Sequence, residues 1–486
     1  MTKEKTYNII KCRFMSVKAF LCMIYNSKAF PYVAVAILAA VFFIQVYGVR
    51  VLNPAYVDWL LNGDDTTQHY IGWCGYRNGN WTFPIGNTDQ LMYPYETSVI
   101  FTDSIPQAPP FWRGSLYETS VIFTDSIPLF AVFFKLFSPI LPKEFQYFGI
   151  WGIFCFCMQG IIGAKIISRF TKCGYSIILC GLLFVMSPVM IHRMFGHTAL
   201  AGHWILLLTL DNFFREYKLL MEQEPTNDIT RDRKTYLRWA LTGALCSSTH
   251  IYFIPMCGII LVGSMLFSIL TEKKPRKALT MLISYIMACL LVIWVLGGFG
   301  SKSGTGAPGL GELSFNLNGL YNPQEWFWSK YLKTYELYGD FQYEGFAYMG
   351  IGCLFMCVCA IPVLMSVENV KHFIVRQWKL IISILAVLFI TFVFAASPVV
   401  TFYNNVLFRY HVPGLILDLW SIFRSTGRFV WIIVYMLEVC SCIVIIRIAK
   451  KKDGNSIFNN SGSSSVSGLE NSLLYEECAV FRKDDT

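Results

Sequence analysis

Apolar runs of about twenty residues alternate with short polar stretches along this chain, which is the length that carries a helix across a bilayer. The first run covers residues 29–47. Others lie near 146–168, 175–191, 198–213, 236–251, 254–270, 278–298, 345–366, 380–398 and 428–447. The pattern predicts an all-α integral membrane fold, a polytopic bundle of about ten transmembrane helices. A weaker stretch, 128–141, is interrupted by Lys135 and Pro139 and is short for a crossing, so a re-entrant or interfacial helix is expected there.

Charge sets the expected orientation. The net charge of +9 is carried by clusters between the runs: Arg169 with Lys172, then 215–238, 273–277, 371–379 and 447–452. This is the positive-inside pattern, so it speaks for cytoplasmic loops and against a nucleic-acid partner. Residues 1–28 form a basic N-terminus. The run after them reads as a retained signal anchor, and both termini are expected in the cytoplasm. The polytopic domain covers 29–448 and includes a long first extracytoplasmic loop, about 50–127. Residues 449–486 read as a disordered cytoplasmic tail rich in Ser, Asn and Gly. The 16 cysteines fall mostly in apolar segments; Cys74 lies in an outside loop, and neither a disulfide framework nor a Cys/His zinc spacing is present.

The segment YETSVIFTDSIP occurs unchanged at 95–106 and at 117–128, a period of 22 residues. Structural repeats drift in sequence, so this is a recent tandem duplication or a fault of assembly. Asp103 and Asp125 are therefore equivalent positions. Asp125 is the expected functional copy, because its segment runs directly into the apolar stretch that follows.

Candidate chemistry gathers in the outside loops. The run DWLLNGDDTTQHYIGW holds Asp58, Asp64, Asp65 and His69. A loop carboxylate is ordinarily just solvated. The functional reading makes Asp65 a general base or metal ligand, with His69 on the same face if the run is helical. Asp65 and Asp125 together are expected to bind a divalent cation, Mg or Mn, that bridges a phosphate. His192, Arg193 and His197 form a turn between spans, where Arg193 meets an anion. His197 and His203 fall on different helix faces, so that pair alone predicts no zinc site. His250 reads either as a polar cap or as a substrate contact. Arg424 and Arg428, at i and i+4, can cradle a phosphate or snorkel to lipid headgroups. Glu438 is an intramembrane carboxylate and so a functional candidate. The Gly-rich stretch 297–312 lacks the GK[ST] ending of a P-loop and reads as a mobile loop or lid.

The motifs GDDTTQHYIGWCGYRNGNWTFPIG, VIFTDSIPLFAVFFKLFSPILPKEFQYFGIW, RMFGHTALAGHWILL, LSFNLNGLYNP, YEGFAYMGIG and FRSTGRFVW, in this order over roughly residues 50–445, resemble an uncharacterised family of bacterial multi-pass proteins that is similar to the GT-C glycosyltransferases. The resemblance implies a GT-C-like bundle in the bacterial plasma (inner) membrane, in contact with membrane lipids and using a polyprenyl-phosphate-linked sugar donor. It implies Asp65 as base or metal ligand, and Arg193, Arg424 and Arg428 as phosphate-binding groups. His69, His192, His197 and His250 join them as substrate-contact candidates. The competing readings are a lipid or polysaccharide transporter or flippase and a non-catalytic membrane assembly protein.

Overall fold

A computed structural model of the protein describes residues 27–62, 65–92, 116–222, 229–299, 311–326, 328–365 and 370–459. Among them, helices occupy every predicted apolar run. α1 (Phe30–Tyr47) starts at a proline and ends at Gly48, whose φ of 80° suits glycine alone. It packs on α4 (Phe148–Ser168), which also lies against α5 (Gly174–Val185). α6 (Pro188–Phe195) follows α5 across a 41° bend, because Ser187 and Pro188 interrupt the helix within the run predicted as one span. Then come α7 (Trp204–Glu222), α8 (Ile229–Thr249), α9 (Phe253–Glu272), α10 (Pro275–Val295), α11 (Ile351–Met365) and α12 (Val370–Ala396).

Among the described residues, six helices are long and apolar enough to cross a membrane, or seven if the bent pair α5 and α6 counts as one. α7, α8 and α11 stand apart for visible reasons. α7 carries Asp211, Arg215, Glu216 and Lys218, α8 begins with the charged run TRDRK, and α11 has only 15 residues. The protein is thus mostly helical and membrane-embedded.

Two short hairpins accompany the helices among the described residues: β1 (Asn87–Met92) pairs antiparallel with β2 (Leu116–Ser120), and β3 (Val399–Phe402) with β4 (Asn405–Arg409). These hairpins lie in connections, where alternating side chains gave no strong signal. The last helix is α14 (Trp431–Asn459); most of the tail expected to be disordered, 460–486, lies outside the described residues. Within the stretch 128–141, expected to be a non-spanning helix, lies the short helix α3 (Pro128–Lys135), in which Lys135 is buried over the rings of Tyr76 and Trp81. A second short helix, α13 (Gly414–Ser421), precedes α14.

Contacts of Asp65 with His197, Asp125 with His250, and Arg428 with Glu344 and His197 bring residues from five of the connections together, 48–147, 196–203, 250–252, 296–350 and 397–430. Elsewhere the bundle is tied by ion pairs. Arg169 holds Asp211 with two bonds of 2.7 and 2.8 Å, and Lys277 is buried between Glu216 and Glu272.

Candidate functional site

The site is built where these connections meet. α2 (Asp65–Asn78) begins at Asp65, and the Thr67 hydroxyl donates to Leu60 O at 2.8 Å to fix that start. The helix is amphipathic enough to bury His69, Tyr70, Trp73 and Tyr76, and Trp73 donates to Phe145 O at 2.9 Å. Gly72 lets the Thr124 to Ser126 turn come in close: a Cβ there would stand 2.6 Å from Thr124 Cβ and 2.7 Å from Ser126 Oγ. The turn is fastened by Ser126 Oγ donating to His69 O at 2.8 Å and by the Tyr147 hydroxyl donating to Ser126 O. Asp125 and Ile127 both take left-handed conformations, φ 51° and 53°, a costly geometry for a β-branched residue such as Ile127. Packing holds this strained turn so that Asp125 points inward.

Five imidazole and carboxylate groups converge there. His197 Nε2 lies 2.9 Å from Asp65 Oδ2, and the two rings His69 and His197 are 5.8 Å apart. His250 Nε2 lies 3.0 Å from Asp125 Oδ1, while its Nδ1 accepts the backbone N–H of Tyr252 at 3.2 Å. That second bond leaves the proton on Nε2, so His250 donates to Asp125 and orients it. His69 Nδ1 faces Thr198 Oγ1 at 3.1 Å, and its Nε2 stands 3.8 Å from Asp125 Oδ2. Ligand atoms of His69, Asp125 and His197 all lie within 4.8 Å of one another.

Behind this group sits Glu344, buried between two guanidinium groups. Arg428 Nε donates to Glu344 Oε2 at 2.8 Å, and Arg193 reaches the same carboxylate at 3.0 Å and the Glu344 carbonyl at 2.8 Å. The Arg428 group also stacks over Tyr252 and comes within 3.3 Å of His197 Nε2. Gly345 and Gly427 make the approach possible, since a Cβ on Gly427 would lie 2.6 Å from the Gly345 Cα.

The environment sets the charges. The hydrogen bond from His197 holds the Asp65 carboxyl below its ordinary value, against a smaller upward push from burial. Burial alone would raise Asp125, but His250, helped by His69 and His197, holds it down at about 2. Burial drives His69 down to about 4, so its ring is neutral at pH 7 despite the nearby Asp125. His197 is also disfavoured by burial and by Arg428, yet its bonds to Asp65 and Glu344 raise it overall. Burial disfavours the Glu344 charge too, and the two arginines reverse that, leaving it well below the ordinary carboxylate value.

Of the residues predicted from sequence, Asp65, His69, Asp125, His197 and His250 meet in one cluster, and Arg193 and Arg428 lie against it. The expected phosphate cradle differs from what is built. Arg193 and Arg428 are buried and already share Glu344, and Arg424 precedes a short 3-10 turn, Thr426–Val430, so the pair does not lie on one helix face. Arg424 is half-buried and close enough to feel the Asp65 charge. Asp65 and Asp125, the expected cation pair, are joined in the cluster by His69 and His197. His192 turns away, its ring against Phe346 in a cavity of about 230 Å³ with Trp326 and Tyr343. Asp58 is exposed at a turn, His203 bonds Tyr435 at 2.7 Å, and Glu438 accepts from the Cys353 thiol at 3.0 Å, all away from the cluster. Asp64, Asp103 and most of the Gly-rich stretch lie outside the described residues. Glu344, Thr198 and Tyr252 were missed. Glu344 stands in the motif YEGFAYMGIG, where an acid flanked by aromatic residues was the available signal.

Comparison with known proteins gives one match. The family model described as "Domain of unknown function (DUF6311)" covers residues 36–113 and 109–458, and its two segments overlap between the copies of the repeat. No curated protein and no solved structure matches the chain.

Proposed function

The chain belongs to the DUF6311 family of unknown function, and we propose that it is a GT-C-type glycosyltransferase moving a sugar from a polyprenyl-phosphate-linked donor to an acceptor at the outer face of a bacterial plasma membrane. In this reading all ten helices cross, residues 29–448 form the polytopic domain, and both termini are cytoplasmic. One observation carries it. Asp65 keeps 44% of its side chain exposed, while His197 holds it from behind and buried Glu344 and Arg428 hold His197. A carboxylate that is solvent-reachable, oriented and ionised suits a general base.

The chemistry then follows from charge. Asp65 takes the proton of an acceptor hydroxyl as that oxygen bonds to the anomeric carbon. The bond from that carbon to the phosphate oxygen breaks, and the lipid phosphate leaves with the electron pair. Arg424, half-buried and close enough to feel the Asp65 charge, would balance the leaving charge. A lipid flippase is the second reading, favoured by the 41° break between α5 and α6, because transporters build sites at broken helices.

The test uses the purified full chain with a short-chain polyprenyl-phosphate sugar carrying a radiolabel. Asp65→Asn is expected to lower transfer at least a hundredfold while the melting temperature stays within about 2 °C. Product formation at the wild-type rate would remove Asp65 from the reaction; movement of label across vesicles without transfer would favour the flippase.

A further inference from the structure

We propose that His69, His197 and Asp125 hold a divalent transition-metal ion of the zinc class beside Asp65. The proposal deepens the transferase reading in what the ion would do there, but the binding of the ion stands independently of it.

The first argument is an unsatisfied oxygen. Asp125 is 4% exposed, and its Oδ2 has no hydrogen-bond partner among the described residues, although a buried carboxylate oxygen without one is costly. Its other oxygen is occupied by His250. The free oxygen therefore points at the two histidines with nothing else to satisfy it.

The second argument is the way the ligands are held. Metal-bound imidazoles characteristically commit their other nitrogen to an acceptor, and His69 Nδ1 has Thr198 Oγ1 at 3.1 Å. This leaves the Nε2 lone pair facing Asp125 Oδ2 at 3.8 Å, too long for a hydrogen bond. Two donors each about 2.0–2.1 Å from a tetrahedral ion stand about 3.3 Å apart, so a small inward rotation closes the gap. His250 and Tyr252 fix the Asp125 carboxylate in the same manner. His197 fits the same pattern, since its Nδ1 is buried without a partner among the described residues while its Nε2 is committed to Asp65 at 2.9 Å.

The third argument is donor type. Two imidazoles with one carboxylate select zinc, cobalt or iron, whereas magnesium is held by carboxylates and water. The sequence alone suggested a pair of carboxylates and hence Mg or Mn; the assembled donor set changes the class of ion. Bound there, the ion would neutralise charge on a departing phosphate while His197 keeps Asp65 oriented toward the acceptor.

The test reads metal directly. The full chain is purified in detergent, stripped with a chelator, dialysed against zinc chloride and assayed by plasma mass spectrometry, with cobalt(II) absorption as a second readout. About one zinc per chain is expected, unmoved by a thousandfold excess of magnesium. His69→Ala with His197→Ala should lower the content at least tenfold and abolish the cobalt bands. If that double variant does not fold, the near-isosteric Asp125→Asn takes its place, with the same loss expected. Zinc content unchanged in a folded variant, or displacement by magnesium, overturns the proposal. Transfer activity in a protein that binds no zinc overturns it while leaving the transferase reading intact; zinc binding without transfer does the reverse.

Discussion

Glu344 is the residue on which the cluster's electrostatics turn, because one buried carboxylate compensates two buried guanidinium groups. Removing it leaves Arg193 and Arg428 facing each other without a counter-charge, whereas removing Arg428 leaves the Glu344 to Arg193 pair at 3.0 Å in place. Breaking a buried pair in this way costs about 3–5 kcal/mol. Glu344→Gln is therefore expected to lower stability by that amount, and Arg428→Gln by roughly half as much, in thermal melts of the detergent-solubilised protein. Equal losses would show that the arginines do not share the acid. At this scale the sequence was legible where partners are local. Asp65 and His69 are one helical turn apart, and their joint placement could be read from spacing. Glu344 could not, since its partners lie 151 and 84 residues away and only folding brings them in.

The elements show why a duplicated segment is tolerable. β1 pairs with β2 so that Leu91 stands opposite Tyr117, and the second copy continues from Tyr117 through the buried turn into α3. Deleting 95–116 would leave Leu91 and Tyr117 joined by Met92, Tyr93 and Pro94, the length of a short hairpin loop. The extra residues thus occupy the connection between two strands, where added length costs only slowly growing closure entropy. The shortened chain is expected to keep its fold, to place Asp125 unchanged and to gain about 1–2 kcal/mol. Loss of folding on this deletion would mean that the first copy is structurally required. The break at Ser187 and Pro188 was visible as a proline within an apolar run, but the sequence pattern alone could not separate a kinked span from two short helices. The β-hairpins were less visible still, because each is short and stabilised by its pairing rather than by its own residues.

For the molecule as a whole, orientation is the testable property. The basic clusters at 215–238 and 273–277 are joined by the ion pair of Lys277 with Glu216, and a positive-inside arrangement requires them to lie across the membrane from the Asp65 site. Single cysteines placed at 227 and at 81 in a cysteine-depleted chain are expected to label oppositely with a membrane-impermeant maleimide on intact cells, 81 accessible and 227 protected. Labelling at 227 would invert the topology and move the proposed chemistry to the cytoplasm. The sequence by itself determined that this is a helical membrane protein, where its helices lie and which loops carry the acids, because hydrophobic run length and charge bias are local properties that a bilayer reads directly. Only the tertiary structure decided which of those acids and histidines meet. Asp125 is aimed by a strained turn, His250 and Tyr252 from another connection hold it, and Arg428 is spent on Glu344. Each of these depends on helix ends distant in the chain being packed to within a few ångströms, and no local pattern encodes that.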